Sequence, residues 1–229
     1  KATGQGMVFC IVEWAKANDF NLQGATMTVQ GFGNVGSHCS VILSRLGVST
    51  IAVGDHSGYL SNPEGFNTHK LQEHVARNGS IKGYPNGKAI TREEFFALKA
   101  DIFAPSALEN QIGEAEAKAL DVRLVVEGAN GPTTPAGEKI LLDRGIVILP
   151  DVLANSGGVT VSYYEWVQNK RSESWTEEEV DDKLERAMVR AYREVSDFAR
   201  AHKLDLRVAA YALALQRIEA VYKEREIFP

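Results

Sequence analysis

Short apolar runs alternate with helical patterns along the first 150 residues of the chain. The predicted strands cover residues 25–30, 50–53, 101–103, 123–126 and 146–149. Apolar residues spaced three or four apart predict amphipathic helices at 5–18, 34–46, 63–78, 91–98, 111–120 and 134–144. Such alternation is typical of a mainly parallel sheet with helical connections on both faces. The predicted fold class is therefore α/β, doubly wound and Rossmann-type.

From Asp151 onward the pattern predicts helices only. An aromatic-rich helix opens near Asn155, residues 169–176 form a polar linker, and further helices cover 177–201 and 206–223. The apolar positions of the last helix are expected to form one buried stripe; they are Val208, Ala212, Leu215, Ile218 and Tyr222. We therefore predict a dinucleotide-binding core at 1–150 and a helical C-terminal extension at 151–229 that packs on it or on a partner domain.

The first strand ends in a glycine turn that leads directly into a helix. Residues 31–36 read G-x-G-x-x-G, with glycines at 31, 33 and 36. Gly31 permits a tight turn, Gly33 lets backbone approach a pyrophosphate, and Gly36 lets the helix pack closely on its strand. The helix N-terminus then faces the phosphates. A G-x-x-x-x-G-K-[ST] loop is absent from the sequence, which excludes an NTPase P-loop and favours a nicotinamide dinucleotide.

Asp55 lies at the carboxyl end of the second strand, where a dinucleotide-binding unit places an acid against the adenosine ribose. The alternative is an aspartate that stabilises the turn before Ser57-Gly58. An acid at this place disfavours a 2′-phosphate, so Asp55 favours NAD, whereas the neighbouring His56 could assist a phosphate. Both interpretations of Asp55 stay open on the sequence alone.

Composition narrows the functional classes. The 229 residues carry a formal net charge of −5, which disfavours a nucleic-acid partner. The two cysteines, Cys10 and Cys39, lie among apolar residues and are expected to be buried thiols without a metal or disulfide role. The sequence offers no zinc spacing, no apolar run of membrane length and no signal peptide, so we expect no metal, no membrane and a cytoplasmic location.

Several stretches together resemble the cofactor-binding domain of the glutamate dehydrogenase branch of the glutamate/leucine/phenylalanine/valine dehydrogenases. They are ATGQG at 2–6, QGFGNVG at 30–36, PEGF at 63–66, EGANGPTTP at 127–135 and LANSGGVTVSYYEW at 153–166. The resemblance extends over essentially the whole chain. The leucine-type enzymes share the glycine turn but lack the EGANGPTTP stretch in this form and the VSYYEW-type segment.

The resemblance implies a set of site residues. Those expected at the dinucleotide are Thr3, Gly31, Phe32, Gly33, Asn34, Val35, Gly36, Asp55, His56, Ala104, Pro105, Ala129, Asn130 and Asn155. Within this set, Thr3 would meet the nicotinamide carboxamide and Asn130 the nicotinamide ribose. Val159 and Ser162 would reach the substrate, with the Ser162 hydroxyl on its distal carboxylate.

The resemblance also implies NAD- or NADP-dependent oxidative deamination of L-glutamate to 2-oxoglutarate and ammonium by a homo-hexamer. The family's catalytic residues belong to an N-terminal substrate domain, which we expect to precede Lys1, so we predict no catalytic residue in this chain. The chain alone would then bind the dinucleotide without turnover. Two alternatives remain: a stand-alone dinucleotide-binding module and a leucine-type dehydrogenase.

Overall fold

The computed structural model describes residues 1–225 and contains a seven-stranded sheet flanked by helices. The strands are β1 (Thr26–Gln30), β2 (Ser49–Asp55), β3 (Gly58–Ser61), β4 (Lys88–Ile90), β5 (Ile102–Pro105), β6 (Leu124–Val126) and β7 (Val147–Leu149). The helices are α1 (Ala2–Ala17), α2 (Asn34–Ser44), α3 (Thr68–Asn78), α4 (Arg92–Phe96), α5 (Glu114–Ala119), α6 (Pro135–Asp143), α7 (Asp151–Ala154), α8 (Gly157–Arg171), α9 (Glu177–His202) and α10 (Leu206–Glu224).

The sheet has the strand order β4-β3-β2-β1-β5-β6-β7. Strands β2, β1, β5, β6 and β7 run parallel, whereas β3 and β4 form an antiparallel edge. The chain winds outward from β1 to β4 and then returns to the other side of β1. This reversal opens a crevice at the carboxyl ends of β1 and β5, where open α/β sheets bind ligands. The predicted doubly wound, mainly parallel fold is confirmed.

The parallel strands are buried on both faces because successive side chains point to opposite sides of the sheet. In β5, Ile102 and Ala104 join one apolar cluster with α1, α2 and α9, whereas Phe103 joins a second cluster with α4, α5 and α6. In β6, Val125 likewise faces away from its two neighbours. The continuous apolar character of the strands, which the sequence shows, follows from this double burial.

The predicted helix over 63–78 was wrong in its first part. Residues 62–65 form a turn instead, in which the Asn62 side chain donates to the Gly65 carbonyl at 2.9 Å and Gly65 adopts a φ of +86°. Helix α3 begins at Thr68, after Asn67 accepts a hydrogen bond from the backbone N–H of Lys70. The capping asparagine therefore sets the start of the helix.

Strands β3 and β4 were not predicted from the sequence. They are four and three residues long, and such short edge strands lack the alternation that would distinguish them from a loop.

Three other predicted boundaries also differ from the structure. Helix α1 starts at Ala2 rather than Gln5, α5 covers only Glu114–Ala119, and α8 continues to Arg171, which shortens the predicted linker. Helices α4 and α9 each begin with a capping box, at Thr91 and Thr176.

Helix α9 packs on α1, and α10 packs on α9 and β7. The predicted stripe of α10 is not buried on the sheet: Val208, Leu215, Ile218 and Tyr222 are exposed in the described chain, whereas Ala209 is fully buried on another face. Burial of the stripe on a partner domain stays a prediction. Helical spacing shows that an apolar face exists, but it does not show what covers that face.

No helix within residues 1–225, α10 included, combines the length and the apolar character needed to cross a bilayer. Residues 226–229 of the predicted extension lie outside the described residues.

Candidate functional site

The loops that leave β1 and β5 meet at the crevice of the sheet. The backbone N–H of Gly31 donates to the Gly54 carbonyl at 2.7 Å, and that of Ser106 donates to the Gln30 carbonyl at 2.6 Å. A Cβ on Gly31 would lie 2.6 Å from the backbone nitrogen of Ala107, and its φ is +94°. Gly31 is therefore required both by its conformation and by the close approach of the neighbouring loop.

The three glycines of the turn meet different surroundings. A Cβ on Gly36 would lie 2.0 Å from the Gly31 carbonyl oxygen, so this glycine allows α2 to start directly over the turn. A Cβ on Gly33, by contrast, would have no described atom within 4 Å beyond its chain neighbours. Among the described residues no side chain caps the N-terminus of α2. An open glycine next to an uncapped helix start fits a pyrophosphate, which takes up backbone N–H groups at close range.

The other residues predicted at this turn differ in how far their side chains are exposed. Asn34 is exposed and Val35 is half-buried, so both present backbone at the helix start. The Phe32 side chain is only 1% exposed and belongs to the core. Only the backbone of Phe32 is thus available to a ligand. A groove between α2 and α3 opens beside these residues and includes Ser37 and Gln72, which are joined by a 3.1 Å hydrogen bond.

Asp55 serves the turn that follows β2. Its Oδ1 accepts from the backbone N–H and the hydroxyl of Ser57, at 2.7 and 2.6 Å, and its Oδ2 accepts from the backbone N–H of Ile81 at 2.7 Å. The turn role that the sequence allowed is thus present in the structure. Each carboxylate oxygen can accept more than one bond, and Asp55 adjoins Gly54, the partner of Gly31. The ribose role stays a prediction. The neighbouring His56 is exposed.

A second group of predicted residues lies on the β5 and β6 side of the crevice. Ala104 and Pro105 are buried at the end of β5, and the Pro105 carbonyl accepts from the backbone N–H groups of Gly128 and Ala129, both at 2.9 Å. The Asn155 side-chain amide donates to Asn130 Oδ1 at 2.7 Å. Hydrogen bonds thus join the β5 end, the loop after β6 and the α7–α8 junction.

Helix α1 brings Thr3 to the same edge of the sheet. Glycines on α1 and on α8 permit unusually close contacts: a Cβ on Gly4 of α1 would lie 2.7 Å from the Val35 carbonyl oxygen. A Cβ on Gly158 would likewise lie 2.5 Å from the Thr3 hydroxyl. The start of α1 therefore lies between the start of α2 and the start of α8. This packing places Thr3 between the glycine turn and the predicted substrate residues.

Val159 and Ser162 lie three residues apart on α8, hence on the same side of that helix. Both are exposed, Val159 by 69%. The aromatic residues of α8 lie largely outside the core: Tyr163 and Trp166 are more than half exposed and stack with ring centroids 5.9 Å apart. The predicted substrate residues thus face open space next to exposed aromatic rings.

Comparison with known proteins identifies the family. A family model described as Glutamate/Leucine/Phenylalanine/Valine dehydrogenase matches residues 1–225. The chain belongs to this dehydrogenase family. It is 42% identical to a glutamate dehydrogenase of Thermotoga maritima, over 100% of this chain and 55% of that protein. It is 39% identical to the NADP-specific glutamate dehydrogenase A1 of Halobacterium salinarum, over 100% of this chain and 55% of that protein.

Solved structures of family members share the fold. The hetero-hexameric glutamate dehydrogenase of Thermus thermophilus, in a Leu-bound form, matches with a TM-score of 0.92 and 33% identity, over 100% of this chain and 54% of that chain. A glutamate dehydrogenase of Plasmodium falciparum matches with a TM-score of 0.92 and 30% identity, over 99% and 52% of the two chains. The chain spans about half the length of the curated relatives it matches.

A largely buried ion cluster lies beside the crevice, and it was not predicted from the sequence. Arg207, in the first turn of α10, contacts Glu127, Glu138 and Asp151 at 2.6, 2.7 and 2.7 Å. Glu127 is fully buried, and burial raises the pKa of its carboxyl group despite the opposing effect of Arg207. A glutamate directly after a buried strand was a usable signal, because a buried charge needs a partner. Its partner, 80 residues away, left no local signal.

The thiols take no part in the site. Cys10 and Cys39 are buried and free, as predicted, and burial raises the pKa of each to about 12. At neutral pH both are therefore uncharged and poor nucleophiles. Among residues 1–225, no three His, Cys, Asp or Glu side chains are grouped as a metal site requires.

Proposed function

We propose that this chain is the cofactor-binding half of an NAD- or NADP-dependent glutamate dehydrogenase. The observation that carries the proposal is the cradle at the crevice: crowded glycines at 31 and 36, an open glycine at 33 and an uncapped start of α2. The family membership supports it. The nicotinamide, when bound, would accept a hydride from the α-carbon of L-glutamate during oxidative deamination to 2-oxoglutarate and ammonium.

The residues of the chain would share the work of holding the dinucleotide. Backbone N–H groups of Asn34 and Val35 would bind the pyrophosphate at the helix start, and Asp55 would face the adenosine ribose. Asn130 and Asn155, which are already joined to each other, would orient the nicotinamide half. Thr3 would meet the carboxamide from the start of α1.

The glutamate specificity would reside in α8. Ser162 can donate a hydrogen bond to the distal carboxylate of the substrate, a group that is costly to bury without donors. An apolar residue at that place would suit a leucine-like side chain instead. We further propose that the acid–base residues belong to a separate substrate domain, that residues 1–150 and 151–229 are core and extension, and that the complete enzyme is a cytoplasmic homo-hexamer.

Calorimetric titration with NAD⁺ and NADP⁺ tests the binding part of the proposal. We expect tighter binding of NAD⁺ because the Asp55 carboxylate disfavours a 2′-phosphate. Relatives include NAD-specific and NADP-specific enzymes, so the ratio of the two affinities is the informative quantity. Equal affinities would refute the NAD preference, and no binding of either would refute the site.

Glutamate and leucine oxidation by the full-length protein test the substrate. We expect turnover of L-glutamate and little of L-leucine. The reverse result would establish the leucine-type alternative. We also expect residues 1–229 alone to bind the dinucleotide without reducing it; a stand-alone module would show binding and no turnover in the full-length protein as well.

A further inference from the structure

Arg207 joins three elements that surround the loop after β6. Its Nη2 donates to Glu127 at the end of β6, its Nε to Glu138 on α6, and its Nη1 to Asp151 at the start of α7, at 2.6, 2.7 and 2.7 Å. The side chain is only 19% exposed. The planar guanidinium thus presents a different nitrogen to each carboxylate, a geometry that the single ammonium of lysine cannot reproduce.

The carboxylates continue from Arg207 to the backbone of the crevice loop. Glu127 Oε2 also accepts from the backbone N–H of Asp151 at 2.8 Å. Asp151 Oδ2 accepts from the backbone N–H of Gly131, again at 2.8 Å. Gly131 has a φ of +53° and directly follows Asn130, whose side chain is bonded to Asn155. Hydrogen bonds therefore lead from α10 to Gly131, the residue that directly follows Asn130 of the Asn130–Asn155 pair.

Charge makes this arrangement depend on the arginine. Three carboxylates converge within a small, largely buried volume and would repel one another without a cation between them. Arg207 is the cation that contacts all three among residues 1–225. Its removal would leave buried acids without a counter-charge and would free Asp151 to move away from Gly131. The loop that carries Asn130 would then lose the bond at the Gly131 N–H and would keep the backbone bonds from Gly128 and Ala129 to Pro105 and from Asn110 to the Gly131 carbonyl.

We propose that Arg207 is a positioning residue that holds the loop of residues 128–131, and through it Asn130, in place for the nicotinamide half of the dinucleotide. This inference rests on the proposed function. Arg207 acts through Asp151 and Glu127 and does not belong to the residues placed at the ligand. The adenosine half has a separate support, since the turn at Gly31 is bonded to Gly54 and Asp55 to Ile81.

The separate supports predict a selective defect in Arg207 variants of the full-length protein. We expect Arg207→Lys and Arg207→Met to weaken binding of the reduced dinucleotide about three- to thirtyfold, the range found for residues that act through others. Binding of ADP, which lacks the nicotinamide and its ribose, should stay within about twofold of wild type by the same reasoning. Fluorescence titration of the bound nicotinamide and calorimetric titration of ADP provide the two affinities.

Arg193→Met is the matched control. Arg193 also joins two helices through a buried carboxylate, Glu13, at 2.7 Å, but on the α1–α9 side of the molecule. We expect this control to lower the thermal midpoint while leaving both affinities unchanged. Hydrogen exchange of residues 128–131 adds a readout that needs no ligand: exchange should accelerate in the Arg207 variants and not in the control.

The outcomes separate the two proposals. Wild-type affinity for the reduced dinucleotide in a folded Arg207→Lys variant would overturn the positioning role and leave the proposed function intact. Equal losses for ADP and the dinucleotide would also overturn it, because they would indicate general destabilisation. A wild-type protein that binds neither dinucleotide would overturn the proposed function and the positioning role together, whereas unchanged exchange at 128–131 would overturn the positioning role alone.

Discussion

At the scale of single residues, the site depends on how much space each backbone position leaves. Gly31 and Gly36 are crowded by backbone atoms, whereas Gly33 faces open space. The same residue type serves folding at two positions, and under the proposed function it serves ligand approach at the third. The spacing of the glycines is visible in the sequence, but the crowding is not: Gly31 meets the loop after β5, and Gly36 meets the Gly31 carbonyl.

Replacement of each glycine by alanine should separate the two roles. Gly33→Ala is expected to change the free energy of unfolding by less than about 1 kcal/mol, because its methyl group meets open space. It should nevertheless abolish dinucleotide binding by keeping the pyrophosphate away from the backbone. Gly36→Ala is expected to cost about 2 kcal/mol or more, because its methyl group would overlap the Gly31 carbonyl. Urea unfolding and calorimetric titration measure the two effects, and a strongly destabilised Gly33→Ala would contradict the assignment.

Asp55 is expected to control the choice between the two dinucleotides. Asp55→Asn removes the negative charge and keeps one oxygen for the two bonds from Ser57, while its amide nitrogen faces the backbone N–H of Ile81 and loses that bond. We expect the ratio of NAD⁺ to NADP⁺ affinity to fall about tenfold, equivalent to about 1.4 kcal/mol. Ser57→Ala is the control, since it removes a turn bond and leaves the carboxylate. An unchanged ratio in Asp55→Asn would leave Asp55 with its turn role alone.

At the scale of elements, charge as well as apolar contact joins the helices. Glu13 on α1 is buried and accepts from Lys16 and Arg193, the latter on α9. Burial by itself would raise the pKa of Glu13, but the bonds from Lys16 and Arg193 lower it below the ordinary value. The folded chain thus holds this carboxyl group as the anion more firmly than the unfolded chain does.

The bonds from Lys16 and Arg193 to Glu13, here called the Glu13 clamp, should make the free energy of unfolding depend on pH in the acid range. Because the folded pKa is depressed, the stabilisation is present above the unfolded value of about 4.3 and is lost as pH falls through the folded value. We expect Glu13→Gln to cost about 1–2 kcal/mol at pH 7 and progressively less below about pH 4. Chemical unfolding at several pH values measures the difference, which would have to stay constant with pH if the clamp contributed nothing.

At the scale of the whole molecule, one sheet separates two apolar clusters, and the C-terminal helices close one of them. Helix α9 completes the cluster on the α1 side with Leu184, Met188 and Tyr192. Helix α10 adds Ala209 to the same cluster, packs Leu206, Ala210 and Leu213 partly buried against it, and leaves most of its large apolar side chains exposed. The stability of the fold should therefore depend on α9 far more than on the outer face of α10.

Substitutions on the two helices should show this difference. Leu215→Gln and Ile218→Gln are expected to change the free energy of unfolding by no more than about 0.5 kcal/mol, because both side chains are already in contact with water. Leu184→Ala, at a fully buried position, should cost about 2–5 kcal/mol. Differential scanning calorimetry of the three variants makes the comparison. A large loss from the α10 substitutions would show that this face is buried in solution.

The sequence by itself determined the features that contiguous residues encode. Periodicity predicted the parallel strands and most helices, and the glycine spacing predicted the turn into α2, because both depend on local backbone geometry. The resemblance selected the site residues, and the structure brings Asn130 to Asn155 and Thr3 to the start of α8. The choice of these residues needed no knowledge of distant contacts, whereas their meeting did.

Only the tertiary structure decided which groups meet across the chain. The edge strands β3 and β4 are too short for a periodic signal and form because they pair with β2 and with each other. Glu127 and Arg207 are 80 residues apart and meet because α10 returns to the sheet. The exposed apolar face of α10 is a further example. The sequence pattern shows which face of a helix is apolar, but only the packing of the folded chain determines whether that face is buried.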